Sequence, residues 1–354
     1  MARVLRGVGI VAALALSAVA LGIAASVGPA RWGKDGLTLG VAAGTFVTIA
    51  IVAGLILVTG RTASRPLSRA ALLVGGGIGV LVVAFPAAVA VWAAYPPHAA
   101  YQGGRPAGAI DVSVDAGEGV TLAGWYVPTT TGAAVVLAHG AGSTRDAVVT
   151  HAEVLAEAGY GVLAIDARGH GDSTGRAMDL GWWGEADLAA ALDTLSAIDG
   201  VDPERLGLVG LSMGGESAVG AAGADPRARA VVAEGATQRT SADKAGWLPS
   251  HPLGWLQRGM DLERDALVVA MTDAPRPGTL RDAAAATRAP ILLISSGKVP
   301  DEAMASTWVA RGTSHVETWE IPSAAHTGGL ATEPEVWPQR VIAFLDAALE
   351  APAD

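Results

Sequence analysis

The stretch LGLVGLSMGG, residues 206–215, decides the fold. Residues 206–211 are all apolar or glycine, the pattern of a short buried strand, and residues 210–214 then match the motif G-x-S-x-G. In this motif a serine occupies a sharp turn between a strand and a helix, and small residues on either side keep the strained turn free of clashes. Residues 216–224 predict the helix. The stretch therefore predicts a strand, a tight turn at Ser212 and a helix.

A serine in this position is suited to nucleophilic attack. The free backbone N–H groups at the start of the helix point to the place where negative charge develops on the oxygen of an attacked acyl carbonyl. A base is still needed to take the proton of the hydroxyl. Ser212 is therefore the candidate nucleophile, and the rest of the chain must supply the base.

The amino-terminal part of the chain has the composition of a membrane domain. Hydrophobic residues make up 51% of the chain and charged residues 16%. Residues 7–30, 36–60 and 70–97 contain no Asp, Glu, Lys or Arg, and each run is long enough to cross a bilayer as a helix. Three transmembrane helices are predicted, at about residues 7–28, 37–59 and 70–94. Residues 1–95 thus form a predicted membrane domain.

The first hydrophobic segment has two alternative interpretations, a cleaved signal peptide and an uncleaved anchor. Arg3 and Arg6 provide a basic start, and Ala24-Ala25-Ser26 resembles a cleavage site. The apolar run is longer than a typical signal core, which favours the anchor. A buried core helix is the alternative for any one segment, but three such long runs in succession favour a membrane.

The basic residues around these segments predict their orientation. The segments are flanked by Arg3 and Arg6, by Arg31 and Lys34 with Asp35, and by Arg61, Arg65 and Arg69. Lys and Arg accumulate on the cytoplasmic side, so the amino terminus and the second connection are expected inside the cell. Three crossings then place everything after about residue 97 outside. The predicted location is a multi-pass protein of the cell membrane with an extracytoplasmic carboxyl-terminal domain.

Charge and cysteine content exclude several classes of function. Residues 1–105 carry a net charge of +7 and the remainder a net charge of −17. A body this acidic is not expected to bind nucleic acid, and the lipid bilayer is its predicted partner only through the amino-terminal helices. The chain has no cysteine, which excludes a thiol nucleophile, thiolate metal sites and disulfides. Neither a cofactor nor a metal is predicted, and the composition leaves the oligomeric state open.

After a Pro- and Gly-rich linker at residues 96–108, short apolar strands alternate with helices. This alternation is typical of an α/β fold with a mostly parallel sheet covered on both faces. The predicted strands are 110–114, 120–127, 134–138, 161–165, 206–210, 230–234, 291–295 and 316–321. The predicted helices are 146–158, 185–198, 216–224, 302–311 and 335–349. The first two strands alternate well enough to form an antiparallel pair at the sheet edge.

Four stretches in this part of the chain resemble the α/β-hydrolase superfamily. They are LAHGAGSTR at residues 137–145, DARGHGDSTG at 166–175, GLSMGG at 210–215 and PSAAHTGGL at 322–330. The branch that they resemble most comprises the dienelactone-hydrolase-like and prolyl-oligopeptidase-like serine hydrolases. The resemblance covers about residues 109–350. It implies an α/β-hydrolase domain at 109–354 with an eight-stranded sheet and a lid insertion at about 236–289.

The resemblance also implies a catalytic triad. The superfamily's order of serine, acid and histidine makes Ser212 the nucleophile and His326, just after the last strand, the base. The acid is expected in the loop after strand 291–295, where Asp301 and Glu302 stand side by side. This departs from the common pattern, in which an Asp follows the loop glycine by about three residues. Glu302 is favoured because it would reach back from the start of a helix, with Asp301 as the alternative.

Other residues receive supporting roles from the same resemblance. The oxyanion hole is expected from the backbone N–H groups of Met213 and Ala141. A salt-bridged loop is expected from Asp166, Arg168 and Asp172. Loop or surface roles are expected for the six remaining histidines, which are His98, His139, His151, His170, His251 and His315. Trp182 and Trp183 in one loop, with Trp247 and Trp255 in the lid, are interpreted either as lining an acyl pocket or as anchoring at a membrane surface.

Taken together, these features predict a membrane-anchored serine hydrolase that acts through an acyl-enzyme. The predicted substrate is a small-molecule ester, with an amide or peptide as the alternative. Two further hypotheses stay open: an acyltransferase that uses the same triad, and a non-catalytic binding module with this fold. The sequence does not identify the substrate.

Overall fold

The computed structural model describes residues 98–176 and 178–350 and, nearer the amino terminus, residues 75, 82, 83, 85–87 and 89–96. The predicted transmembrane helices at 7–28 and 37–59 lie outside the described residues, and the third, at 70–94, lies partly outside them. Within the described part of the chain, no helix combines the length and the apolar composition that crossing a membrane requires.

The chain divides into two compact units. The larger unit runs from His98 to Pro249 and resumes at Asp273. The smaller unit combines Ser250–Thr272 with the described residues that precede His98. The predicted lid at 236–289 is thus divided, because its middle part belongs to the smaller unit.

The larger unit contains one eight-stranded sheet. Its strands are β1 (Ile110–Asp115), β2 (Thr121–Val127), β3 (Ala134–Ala138), β4 (Gly161–Ile165), β5 (Leu206–Leu211), β6 (Ala228–Glu234), β7 (Ile291–Ser296) and β8 (Val316–Ile321). Their order is β1-β2-β4-β3-β5-β6-β7-β8. The β1–β2 and β2–β4 pairs are antiparallel, and all the other pairs are parallel. The prediction of an eight-stranded, mostly parallel sheet is confirmed, with strand ends displaced by two residues at most.

The described residues after His98 contain nine α-helices, of which eight belong to the larger unit and one to the smaller unit. They are α1 (Val149–Glu157), α2 (Gly184–Ser196), α3 (Met213–Ala224), α4 (Ser241–Trp247), α5 (Pro252–Met271), α6 (Leu280–Ala286), α7 (Pro300–Ala310), α8 (Gly329–Thr332) and α9 (Val336–Leu349). Helix α5 lies in the smaller unit.

Two of the five predicted helices begin three residues away from the predicted start, whereas the other three begin within two residues of it. The helix predicted at 146–158 opens with a 3₁₀ turn, Arg145–Val148, because Thr144 caps it by accepting a hydrogen bond from the Asp146 N–H. The helix predicted at 216–224 begins at Met213, immediately after the serine. The turn at Ser212 therefore takes up a single residue, which brings the start of α3 directly beside the hydroxyl.

The sheet is covered on both faces because successive strand residues point to opposite sides. On one face Val135 and Leu137 of β3 belong to a core cluster with Leu155 of α1 and with Trp337 and Val341 of α9. On the other face the neighbouring strand residues pack with apolar side chains of α2, α3 and α6. That second cluster includes Val136, Ala138, Leu188, Leu192, Val219 and Leu280.

The parallel strands bring distant parts of the chain to one edge of the sheet. Ser212 follows β5, Glu302 lies in the first turn of α7 after β7, and His326 lies in the loop after β8. Parallel strands end at the same side of a sheet, and side chains from their carboxyl ends meet in the crevice there. A functional site is therefore expected at this edge of the sheet.

Candidate active site

Ser212 occupies a strained turn. Its backbone angles are φ 53° and ψ −120°, a conformation that costs a non-glycine residue roughly 1–3 kcal/mol. A Cβ on Gly210 would lie 2.3 Å from the backbone of Gly214, and a Cβ on Gly214 would lie 2.4 Å from the carbonyl oxygen of Ala138. The two glycines thus permit close backbone approach. The Ser212 N–H donates to the Glu234 carbonyl at 2.7 Å, which ties the turn to β6.

A continuous chain of hydrogen bonds joins Ser212, His326 and Glu302. The Ser212 hydroxyl lies 2.9 Å from His326 Nε2, and His326 Nδ1 lies 2.6 Å from Glu302 Oε1. Because a carboxylate only accepts hydrogen bonds, Nδ1 carries the proton and Nε2 is left to accept from the serine. The other oxygen, Glu302 Oε2, accepts from the Ser296 N–H at 2.7 Å. The structure thus brings together three of the four predicted triad candidates.

Asp301 is the candidate that stays apart. Both acids lie in the first turn of α7, but Glu302 is fully buried and Asp301 is exposed. Successive helix residues point about 100° apart, so one of two adjacent carboxylates faces His326 while the other faces solvent. The geometry selects Glu302 as the histidine's partner.

Three carboxylates act on His326. Its pKa is raised, first by the hydrogen bond and charge of Glu302, with further contributions from Glu216 and Glu234, while burial acts in the opposite direction. The imidazole is about half exposed, so solvent screens part of this effect. The carboxylates favour the protonated imidazole, which is the form that a base in this position takes during proton transfer.

Glu234 was not among the predicted site residues, although it is part of the scaffold of the site. Its side chain is buried at the end of β6. Oε1 accepts from the Gly329 N–H at 2.7 Å, and Oε2 accepts from Trp337 Nε1 at 2.9 Å. Burial raises its pKa. Its carboxylate fixes the segment after His326, while its carbonyl fixes Ser212. The available signal was a carboxylate at the end of the otherwise apolar predicted strand 230–234.

Glu216 lies one helical turn after Ser212. Its Oε1 accepts from the N–H groups of Thr237 and Gln238, at 3.1 and 3.0 Å. Burial raises the pKa of Glu216 to about 7. These bonds connect α3 to the loop that follows β6.

The two backbone N–H groups predicted for an oxyanion hole are oriented by different parts of the structure. Met213 is the first residue of α3, so its N–H has no partner within the helix. The Ala141 N–H belongs to the same peptide as the Gly140 carbonyl, which contacts His139 Nδ1 at 2.7 Å and Ser143 Oγ at 3.0 Å. In a trans peptide the N–H points opposite to the carbonyl. The Ala141 N–H is therefore directed away from those donors.

His139 and His170 connect the loops beneath this peptide. His139 Nε2 accepts from the Ala167 N–H at 3.0 Å, and His170 Nε2 accepts from the Gly142 N–H at 3.2 Å. Burial lowers the pKa of both rings, that of His139 to about 3. Both imidazoles are therefore neutral at pH 7 and hold the loops through backbone contacts, as expected from the sequence.

The remaining histidines have local roles where the structure gives them contacts. His151 is buried with its ring edge-on to Trp337, at 5.1 Å between centroids. His251 Nδ1 accepts from the Gly254 N–H at the start of α5, at 3.2 Å. His315 Nε2 lies 2.9 Å from the Ala284 carbonyl. None of these contacts involves Ser212.

The predicted salt-bridged loop is arranged differently from the expectation. Asp166 and Asp172 both pair with Arg145, which the prediction did not include. Arg168 pairs instead with Asp187 of α2, at 2.6 Å. The prediction was wrong for Arg168 because it considered only charges close in sequence, whereas α2 supplies the buried partner.

A small, mostly apolar cavity of about 30 Å³ lies beside Met213. Trp183 lines it, and the Arg168 guanidinium lies 4.2 Å from the Trp183 ring centroid. Trp182 is buried and donates to the Arg239 carbonyl at 2.8 Å. Of the two tryptophans in this loop, Trp183 lines the cavity and Trp182 is buried beside it in the chain. Across the described residues, no cluster of His, Asp and Glu has the arrangement of a metal site.

Solved structures share this architecture. An esterase of Pyrococcus furiosus, Pf2001, superposes with a TM-score of 0.56 at 22% identity, covering 71% of this chain and 98% of that one. The chain has the α/β-hydrolase fold. A protein of Pseudomonas aeruginosa, PA2218, also matches with a TM-score of 0.56, at 20% identity, covering 69% of this chain and 95% of that one.

Sequence comparisons match part of the chain to hydrolases and to uncharacterized proteins. Residues 129–273 match a family model described as serine aminopeptidase, S33. The uncharacterized protein Rv2307c of Mycobacterium tuberculosis is 36% identical over 170 residues, which is 47% of this chain and 59% of that protein. The thiohydrolase aneE of Aspergillus aculeatus is 36% identical over 120 residues, which is 32% of this chain and 37% of that protein. The chain thus covers little more than half the length of even the longer of these two matches.

Proposed function

We propose that the chain is a serine hydrolase that cleaves an ester through an acyl-enzyme intermediate. The observation that carries this proposal is the hydrogen-bonded series from Ser212 through His326 to Glu302. Its members follow three different strands, β5, β7 and β8. A nucleophile, a base and an orienting carboxylate in hydrogen-bond reach are the three parts that acyl transfer requires.

The geometry supports a two-step reaction. Ser212 Oγ attacks the acyl carbon while its proton passes to His326 Nε2, and the carbonyl oxygen becomes an oxyanion held by the N–H groups of Met213 and Ala141. The ester bond then breaks, and His326 gives the proton to the departing alcohol. Water attacks the acyl-enzyme in the second step and loses a proton to Nε2. The bond to Ser212 Oγ then breaks, Nε2 returns the proton to Oγ, and the acid is released.

Glu302 has the supporting part in both steps. It holds the Nδ1–H tautomer, so Nε2 always faces the hydroxyl. It also stabilises the imidazolium that forms after each proton transfer. The Ser296 N–H fixes the second carboxylate oxygen, so the acid is already oriented before substrate binds.

The names of similar proteins favour this chemistry. An esterase, a thiohydrolase and a serine aminopeptidase family all appear among them. Each name describes transfer of an acyl group to water. We place the ester first because the structural neighbour Pf2001 is called an esterase, with thioester and amide as the other acyl donors to be compared.

We also propose that the amino-terminal segments anchor the enzyme in the cell membrane, with the hydrolase unit outside the cytoplasm. The support is the sequence: charge-free runs at 7–30, 36–60 and 70–97, with basic residues concentrated before the first and after the second. A reporter fused after Asp354 tests the orientation. An enzyme reporter that works only outside the cytoplasm is expected to be active, and one that works only inside is expected to be silent; the reverse pattern contradicts the proposal.

A substrate panel tests the proposed reaction. p-Nitrophenyl esters of increasing acyl length, a matched thioester and aminoacyl-anilides are compared on the full chain, with Ser212→Ala as the control. Ester turnover that disappears in the variant supports the hydrolase. An acyltransferase would instead yield mainly transesterified product when an alcohol is added. A non-catalytic module would turn over none of the compounds and would not react with a fluorophosphonate probe.

A further inference from the structure

Helix α5 (Pro252–Met271) exposes its apolar side. Trp255, Leu262 and Val269 are 59%, 59% and 49% exposed, and they recur every seven residues, so they share one face of the helix. Gly259 and Ala266 lie between them on the same face and are also exposed. Near the amino end of the helix, Leu253 is 72% exposed. Every exposed residue of α5 is apolar or glycine, and the charged residues that border this face, Arg258 and Glu263, are partly buried.

The opposite side of the same helix contains buried charges. Asp261, Arg264 and Asp265 are all buried. Arg264 Nη2 donates to Asp265 Oδ1 at 2.6 Å, and Arg264 Nη1 donates to Asp261 Oδ1 at 3.3 Å. Removing such charges from water is costly even when they are paired. A surface helix in water normally has the reverse arrangement, with apolar residues inside and charges outside.

This inverted polarity indicates that water is not the medium that the apolar face meets. Exposed apolar patches of this kind mark contacts with a protein or a membrane. The charged residues of α5 exclude a transmembrane role, because a spanning helix needs about 20 mainly apolar residues. A helix with one apolar and one charged side is suited to lie along a membrane surface.

The smaller unit itself favours lipid over a protein partner. Within this unit, Met271 packs against a cluster of Val91, Ala94 and Tyr95, at the described end of the charge-free run at residues 70–97. In the same segment Phe85 and Trp92 are exposed as well. Helix α5 is therefore held to the part of the chain that is predicted to be in the membrane.

We propose that α5 lies in the interface of the bilayer, with Trp255, Leu262 and Val269 inserted among the lipid chains at the headgroup boundary. Tryptophan favours this boundary because its ring is apolar and its N–H is polar. The inference rests on the proposed membrane anchor and extends it. The anchor is assigned to the amino-terminal segments, whereas α5 arises more than 150 residues later in the chain.

The absence of cysteine makes a site-specific test straightforward. Leu262→Cys and Val269→Cys are prepared in the full chain and labelled with an environment-sensitive NBD fluorophore. Glu157→Cys, at the exposed end of α1 in the larger unit, is the matched control. Each protein is reconstituted into phosphatidylcholine vesicles with and without a doxyl-labelled lipid. Flotation of the vesicles is measured first, and quenching by doxyl lipid and by aqueous iodide is measured next.

The expected result is flotation of all three proteins, with doxyl quenching at positions 262 and 269 roughly twofold or more above that at 157, and with weaker iodide quenching. If the proteins float but all three labels behave alike, the anchor stands and the inference about α5 is wrong. Labels shielded from iodide without doxyl quenching would mean that a second copy or another protein covers α5, which overturns the lipid assignment. A chain that does not float overturns both proposals.

Discussion

Replacing Glu302 with glutamine tests the arrangement of the proposed triad. The carboxylate accepts two hydrogen bonds, from the Ser296 N–H at 2.7 Å and from His326 Nδ1 at 2.6 Å. A glutamine has one oxygen and one NH₂ group for these two donors. If the oxygen stays on Ser296, the NH₂ group faces Nδ1 and forces the proton of the imidazole onto Nε2. The base can then no longer accept the proton of Ser212.

The size of the effect follows from this change of tautomer. In a well-studied serine protease, replacing the triad acid by its amide lowers kcat about 10⁴-fold although the geometry of the site is kept. We expect a loss of about 10³- to 10⁴-fold here, which corresponds to roughly 4–5 kcal/mol of transition-state stabilisation. KM should change little because Glu302 is buried behind His326 and does not face the substrate.

The assay compares Glu302→Gln with Asp301→Asn on the ester that the unmodified chain hydrolyses fastest. Asp301 is exposed in the same helical turn, so its variant should keep kcat within about twofold. Thermal melts of both proteins establish that they are folded. The reasoning is refuted if folded Glu302→Gln keeps more than about a tenth of the activity, or if Asp301→Asn loses as much as Glu302→Gln.

Three further predictions concern the same edge of the sheet. First, kcat/KM should fall as the pH decreases through the raised pKa of His326, because the protonated imidazole accepts no proton. Glu302→Gln should move this acid limb to lower pH, and an unchanged limb in the variant contradicts the assignment. Second, Glu234→Gln should lower kcat more than it raises KM and should shift the same acid limb to lower pH, because the amide cannot accept hydrogen bonds from both Gly329 and Trp337. If the melting temperature falls but the pH profile is unaltered, Glu234 has only a structural role. Third, Gly214→Ala should lower the free energy of unfolding in urea by about 1–3 kcal/mol, because its Cβ would lie 2.4 Å from the Ala138 carbonyl oxygen; a neutral effect contradicts the close approach.

The sheet was predictable from the sequence because its strands are short apolar runs separated by turn residues. The strands Ala134–Ala138, Gly161–Ile165 and Val316–Ile321 have the predicted bounds. Helix starts were harder to predict. The start of α3 at Met213 depends on a backbone conformation at Ser212 that no propensity scale favours.

Charge partners were the least predictable part of the site. The Glu302–His326 contact was anticipated from motif order, although the choice between two adjacent carboxylates needed the orientation of α7. The pairing of Arg168 with Asp187 and the double role of Glu234 depend on elements far apart in the chain. Such contacts are set by tertiary packing, and local sequence patterns do not encode them.

Helix α5 shows a different limit of sequence reasoning. The sequence places its residues in a predicted lid and leaves two interpretations for the tryptophans there, lining of an acyl pocket or anchoring at a membrane surface. The structure distinguishes these tryptophans only by exposure: Trp247 is buried in α4, whereas Trp255 is exposed on α5. The buried face of a helix is decided by the elements that pack against it. For α5 these elements come from another part of the chain.

Labelling by a fluorophosphonate probe tests the central claim most directly, because the probe reacts only with a serine whose hydroxyl is activated. The full chain should be labelled in a single position, Ser212, identified by mass spectrometry of the modified peptide. Ser212→Ala should abolish the labelling and the ester turnover while the melting temperature stays nearly the same. Labelling or turnover that persists in a folded Ser212→Ala protein would contradict the account.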